Sequence, residues 1–123
     1  MYELMIEDYF SAAHSLKGYK GNCERLHGHN WRVQIFVKVK KLDNIYLGID
    51  FRILKKILKE TLELLDHKYL NEIEFFKKYN TSTEKIAEFI YIQVDKKLKS
   101  YKNVKLEKVI CWESANSYAA YFK

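Results

Sequence analysis

His29-Asn30-Trp31-Arg32-Val33-Gln34-Ile35-Phe36-Val37-Lys38-Val39-Lys40-Lys41 alternates apolar and polar side chains. On a pleated backbone Trp31, Val33, Ile35, Val37 and Val39 fall on one face, and Arg32, Gln34, Lys38 and Lys40 on the other. This predicts a strand over 29–41 with one face against a core. Phe36 interrupts the polar face, so partial cover is expected there too.

Working outward, residues 2–14 also alternate and are rich in aromatics, which predicts a preceding strand with Phe10, Ala12 and His14 on one face. Residues 15–28 hold Gly18, Gly21 and Gly28 and read as a loop. Downstream, Asp50 is placed to cap a helix running to about Leu65. Phe51, Leu54, Ile57, Leu58, Thr61, Leu62 and Leu65 give it one apolar stripe at helical spacing. Asp66-His67 falls at its end, and residues 68–81 read as irregular. Ser82 or Thr83 caps a second helix with the stripe Ile86, Phe89, Ile90, Val94 and Leu98. Residues 104–113 and 116–122 read as two final strands around a turn at Ala115-Asn116. The order β-β-α-α-β-β predicts an α+β fold, two helices on one face of a four-stranded antiparallel sheet. Such a sheet has open edges, and pairing them between subunits into an oligomeric β-barrel removes that liability.

The chain of 123 residues is 48% apolar and 31% charged, without proline, which fits a single domain over 1–123 with a real core. No run is long enough to span a membrane, and the N-terminus lacks the basic and apolar regions of a signal peptide, so a cytoplasmic protein is expected. The net charge is +6, but the lysines are dispersed and no Arg-rich or RNA-binding aromatic signature accompanies them. A solvated surface or an anionic small molecule explains that charge before nucleic acid does. Cys111, within Val109-Ile110-Cys111-Trp112, reads as a small buried apolar residue.

The chemistry concentrates in Cys23-Glu24-Arg25-Leu26-His27-Gly28-His29. On an extended backbone His27 and His29 share a face. If the first two strands form a hairpin, His14 lies beside them. Three neutral imidazoles leave a fourth position open, the pattern of a catalytic rather than a structural zinc ion. Cys23 has polar neighbours and needs a base or cation nearby to act as a thiolate. Asp66 beside His67 can fix the tautomer of the imidazole and raise its basicity. Glu113, at a strand end, can accept two parallel hydrogen bonds from the N–C–N edge that guanine and pterin rings carry. Each has a plainer alternative on local evidence: an incidental H-x-H pair, an unreactive thiol, a histidine favoured by a helix C-terminus, a solvated carboxylate.

Taken together, Phe10-Ser11-Ala12-Ala13-His14, Cys23-x-x-x-His27-Gly28-His29, Gly48-Ile49-Asp50-Phe51, Leu65-Asp66-His67-Lys68-Tyr69-Leu70-Asn71, Thr81-Ser82-Thr83-Glu84 and Trp112-Glu113-Ser114 resemble the 6-pyruvoyl-tetrahydropterin synthase and 6-carboxytetrahydropterin synthase family. The resemblance implies a tunnelling fold, in which trimers form a β-barrel and two trimers stack into a homohexamer with sites between subunits. It implies Zn2+ on His14, His27 and His29, Cys23 as general base, Asp66 and His67 as its proton-relay partners, and Glu113 as pterin anchor. Thr83 belongs to a segment that shapes the pocket in this family; Thr81 stands where many relatives carry proline. The implied substrate is 7,8-dihydroneopterin triphosphate, with neither nucleic acid nor membrane as partner.

The Cys-x-x-x-His-Gly-His spacing resembles the bacterial 6-carboxytetrahydropterin branch, which feeds queuosine and other 7-deazapurines. The animal biopterin branch has a longer gap. Another branch uses a glutamate near the position of Glu24 to make 6-hydroxymethyl-dihydropterin for folate, so that product stays open, as does a non-enzymatic, zinc-stabilised basic binding module.

Overall fold

A computed structural model describes residues 1–19 and 25–123. The strands β1 (Tyr2–His14), β2 (His27–Val39), β3 (Val104–Ser114) and β4 (Ser117–Tyr121) form one antiparallel sheet in the order β1-β2-β3-β4. Between β2 and β3 run α1 (Phe51–Glu63), a 3-10 turn (Leu70–Glu72), α2 (Glu74–Lys78) and α3 (Thr83–Leu98).

The two long strands pair in full register, from Tyr2 opposite Val39 to His14 opposite His27. Their alternation sends Ile6, Phe10 and Ala12 of β1 and Trp31, Val33, Ile35 and Val37 of β2 into the core. Leu54, Leu58 and Leu62 of α1 and Ile86, Ile90 and Val94 of α3 meet them there. Asp50 caps α1 by accepting from the Arg52 N–H at 2.8 Å, and Ser82 caps α3 by accepting from Lys85 at 3.2 Å. Among the described residues no helix is long and apolar enough to cross a membrane.

Several expected boundaries move. β2 begins at His27 and ends at Val39, not at 29 and 41, so Gly28 lies in a strand rather than a loop. The ladder with β1 continues to His14, and backbone pairing outweighs the glycine signal. α1 stops at Glu63; Leu65 is still buried, but on the turn that follows. The stretch 68–81 is partly helical, because Leu70 and Phe76 plug the core and Phe76 packs against Phe89 at 5.5 Å between ring centroids. Five helical residues are too few to show a periodicity in sequence.

In β3, Phe36 faces Lys108 but Val37 faces Leu106, so Glu107 is the extra residue of a bulge. The bulge resets the alternation, and Leu106, Val109 and Cys111 all reach the core. Burial among apolar neighbours pushes the Cys111 thiol well above its ordinary range, the behaviour of an inert core residue. The other face of the sheet is half-covered by its own side chains, as Phe36 suggested. Arg32 lies 4.2 Å over Trp112, Lys108 lies 4.7 Å over Phe36, and Glu7 accepts from Gln34 at 2.9 Å.

The sheet of the single chain is open, not a closed barrel. The upper edge of β1 is nonetheless occupied. The His67 N–H donates to the Ser11 carbonyl at 2.6 Å and the Ala13 N–H donates to the Lys68 carbonyl at 3.1 Å, with Ala13 bridged in parallel to Tyr69.

Gly48 fits against the end of β2, where an added Cβ would stand 2.6 Å from Cγ1 of the buried Val39. Gly48→Ala should therefore cost about 1–3 kcal/mol of stability through overpacking. A urea melt reads this as a lowered midpoint with an unchanged slope; an unshifted midpoint would contradict the close approach.

Candidate metal centre

His14 ends β1 directly opposite His27, the first residue of β2, and His29 follows two residues on, opposite Ala12. All three imidazoles share the core-side face with Trp31, which is fully buried and lies with its ring 5.0 Å from both His14 and His29. Trp31 is thus an apolar floor that holds the rings apart from the rest of the core. The ring centroids of His14 and His27 are 4.6 Å apart, as are those of His27 and His29.

Glu113 lies beside the three imidazoles. Trp112 pairs with Arg32, so the next residue points to the face of Trp31 and His29. One ligand atom from each of His14, His27, His29 and Glu113 lies within 4.8 Å of all the others. Glu113 Oε1 is 3.1 Å from His29 Nε2, and its Oε2 accepts from the Thr83 hydroxyl at 2.8 Å. The sequence placed Glu113 and Thr83 on the substrate side of the pocket; the fold brings both to the metal ligands.

Tautomers follow from the hydrogen bonds. His14 Nδ1 lies 2.8 Å from the Thr81 carbonyl and His27 Nδ1 lies 2.7 Å from the Arg25 carbonyl. A carbonyl only accepts, so each Nδ1 carries the proton and each Nε2 keeps its lone pair. Among the described residues His14 Nε2 is buried with no hydrogen-bond partner, and His29 Nε2, buried too, faces Glu113 Oε1 at 3.1 Å without an aligned hydrogen bond. A buried polar atom left bare is costly, and His14 stands in one cluster with His27, His29 and Glu113. Burial holds the pKa values of His14 and His29 below the ordinary histidine range, against the pull of Glu113, so both rings are neutral at neutral pH. Converging imidazoles beside a carboxylate, with His14 and His29 neutral, fit a divalent metal ion such as zinc.

Asp66 and His67 do not join this cluster. They sit on the turn after α1, where Asp66 Oδ1 accepts from the Ser11 N–H at 2.9 Å and Oδ2 lies 3.0 Å from His67 Nδ1. His67 adopts a φ of 58°, the left-handed conformation that folds its ring back onto its neighbour in sequence. The Ser11 N–H, with help from His67, holds the Asp66 carboxyl below its usual range. The His67 side chain is 82% exposed, whereas His14 is buried. An open depression of about 530 Å3 lies between the two groups, lined by Ser11, Gly28, His29, Asn30 and His67 among others. Within one chain His67 therefore stands outside the group formed by His14, His27, His29 and Glu113. Cys23 and Glu24 lie outside the described residues.

Sequence reasoning gave no role to Trp31, and read Asn71 and Thr81 only as parts of motifs. Trp31 showed only as one more apolar residue of an alternating strand, a signal that carries no hint of a metal floor.

A family model described as 6-pyruvoyl tetrahydropterin synthase matches residues 3–123, and the chain belongs to that family. The 6-carboxy-5,6,7,8-tetrahydropterin synthase of Haemophilus influenzae is 28% identical, over 98% of this chain and 99% of its own. The dihydroneopterin monophosphate aldolase of Pyrococcus furiosus is 35% identical, over 85% of this chain and 82% of its own. Among solved structures, the 6-pyruvoyl tetrahydropterin synthase of Caenorhabditis elegans superposes with a TM-score of 0.87 at 25% identity, covering 99% of this chain and 95% of that one. The tunnelling fold is thus shared.

The neutral histidines make stability depend on pH. Protonation of His14 and His29 is disfavoured in the folded chain, so the unfolded chain binds protons first as pH falls below the ordinary value of 6.5. Metal-free protein should keep its melting temperature above that pH and lose it progressively below. The double variant His14→Gln, His29→Gln should flatten the slope; an unchanged slope would locate the pH dependence elsewhere.

Proposed function

We propose that this member of the 6-pyruvoyl tetrahydropterin synthase family is a zinc-dependent lyase. It converts 7,8-dihydroneopterin triphosphate to 6-carboxy-5,6,7,8-tetrahydropterin with loss of triphosphate and acetaldehyde, in the route to queuosine and other 7-deazapurines. One observation carries this reading: the convergence of His14, His27 and His29 beside Glu113, with the buried Nε2 of His14 left bare among the described residues. Zinc held there supplies a Lewis acid that polarises a side-chain oxygen of the substrate and acidifies the adjacent C–H.

The chain's own residues do the rest. Glu113, oriented by Thr83, offers a carboxylate to the N–C–N edge of the pterin ring and fixes its direction. Cys23 takes and returns the proton at the substrate side chain, and His67, oriented by Asp66, moves a proton on the opposite side. In a site between subunits, the exposed His67 at the β1 edge serves a neighbour's metal centre rather than its own. The free edge of β4 and the lower edge of β1 support closure into a trimeric barrel, and two such trimers make the homohexamer. The protein works in the cytoplasm.

A second reading has its own support. The Pyrococcus furiosus relative is named an aldolase acting on dihydroneopterin monophosphate, and Glu24 stands beside Cys23. In that reading Glu24 is the base and the product is 6-hydroxymethyl-7,8-dihydropterin.

Zinc-loaded protein incubated with 7,8-dihydroneopterin triphosphate separates the two. The first reading expects 6-carboxytetrahydropterin and acetaldehyde, lost by roughly 100-fold or more in Cys23→Ala. The 6-hydroxymethyl product, abolished in Glu24→Ala, would establish the second. Neither product from a metal-loaded hexamer would remove both.

A further inference from the structure

Thr81 is fully buried, and all three of its polar groups are hydrogen-bonded, two of them to His14 and the residue after it. Its carbonyl accepts the His14 Nδ1–H at 2.8 Å. Its hydroxyl donates to the carbonyl of Ser15, the residue after His14, at 3.1 Å. Asn71 Oδ1 stands 3.4 Å from the same hydroxyl, but one hydrogen serves one acceptor, and the shorter contact takes it. The Thr81 N–H donates to Asn80 Oδ1 at 3.0 Å.

The two asparagines fasten the same stretch of chain. Asn71 accepts from the Ser15 N–H at 3.0 Å and donates to the Ser15 carbonyl at 2.8 Å, as a neighbouring strand would. Asn80 does the same for Lys17, at 3.1 and 2.9 Å. The segment that leaves β1 is thus held by side chains where the ladder has ended. Of these residues only Thr81 touches both the backbone after His14 and the His14 ring.

A ligating imidazole needs the right tautomer and a fixed ring direction, and its outer hydrogen bond sets both. The Thr81 carbonyl can do this only while its peptide stays in place, and the hydroxyl bond to Ser15 ties that peptide to the chain carrying His14. We propose that Thr81 is a positioning residue of the metal centre: its hydroxyl clasps Ser15 and so holds its carbonyl on His14 Nδ1, leaving Nε2 bare and aimed into the cluster. The inference rests on the metal reading for its purpose, but not for its geometry.

Two measurements on the full-length protein test it. In metal-free protein, nitrogen NMR of the ring should show His14 as a single Nδ1-protonated tautomer with a slowly exchanging ring proton. Thr81→Val should mix the tautomers and speed that exchange, and Thr81→Ser should restore both. In Co2+ titrations against a competing chelator, Thr81→Val should bind about 10-fold or more weakly, with Thr81→Ser again restored. Wild-type ring signals together with wild-type Co2+ affinity in a folded Thr81→Val overturn the proposal. If Thr81→Val does not fold, Thr81→Ala replaces it under the same criteria. If even the unaltered protein takes up no Co2+, the metal reading fails, and the tautomer in metal-free protein still decides the role of Thr81.

Discussion

The in-register pairing of β1 with β2 is the constraint on which the remainder depends. A pleated hairpin assigns every residue of both strands to one of two faces, and a shift of one residue would reverse all of them. With Phe10 opposite Trp31 and His14 opposite His27, the core and the ligand cluster become one continuous face. The hydrophobic residues lower on the hairpin therefore fix the candidate metal ligands at its top. Burial of Ile6, Phe10, Val33 and Ile35 sets the register, and the histidines follow from it.

That arrangement leaves polar atoms in a buried place. Imidazole nitrogens without partners cost free energy in the interior, and the fold meets the cost unevenly. The Nδ1 atoms of His14 and His27 are satisfied by backbone carbonyls, while among the described residues the Nε2 of His14 is left bare over an indole floor. Such a departure from full hydrogen bonding is expected where a ligand completes the set. The same burial keeps the rings neutral, which a metal ligand requires.

The acid–base pair is held by different physics. Asp66 and His67 lie on a turn that docks along the β1 edge through backbone hydrogen bonds, outside the hydrophobic face. The docking covers part of an otherwise open edge and presents an exposed imidazole oriented by its neighbour. Within one chain, a core-side cluster and an edge-side pair are thus held by separate sets of contacts.

Much of this was legible in the sequence because it rests on local periodicity. β1 is predicted to its residue limits, the core face of β2 is read from its alternation, the cap at Asp50 follows from its chemistry, and Ser82 is the one of the two candidates Ser82 and Thr83 that caps α3. His27 and His29 share a face by the period of a strand alone, and the motifs carry the family. Tertiary contacts decided the remainder. The short helix α2 exists because Phe76 finds Phe89, the bulge at Glu107 answers the twist and packing of β3, and Thr81 reaches His14 across 67 positions of chain. Periodicity records which face a residue occupies. Which carbonyl meets a ring nitrogen, and which nitrogen is left bare, depends on partners distant in sequence, and only the folded chain brings them within hydrogen-bond reach.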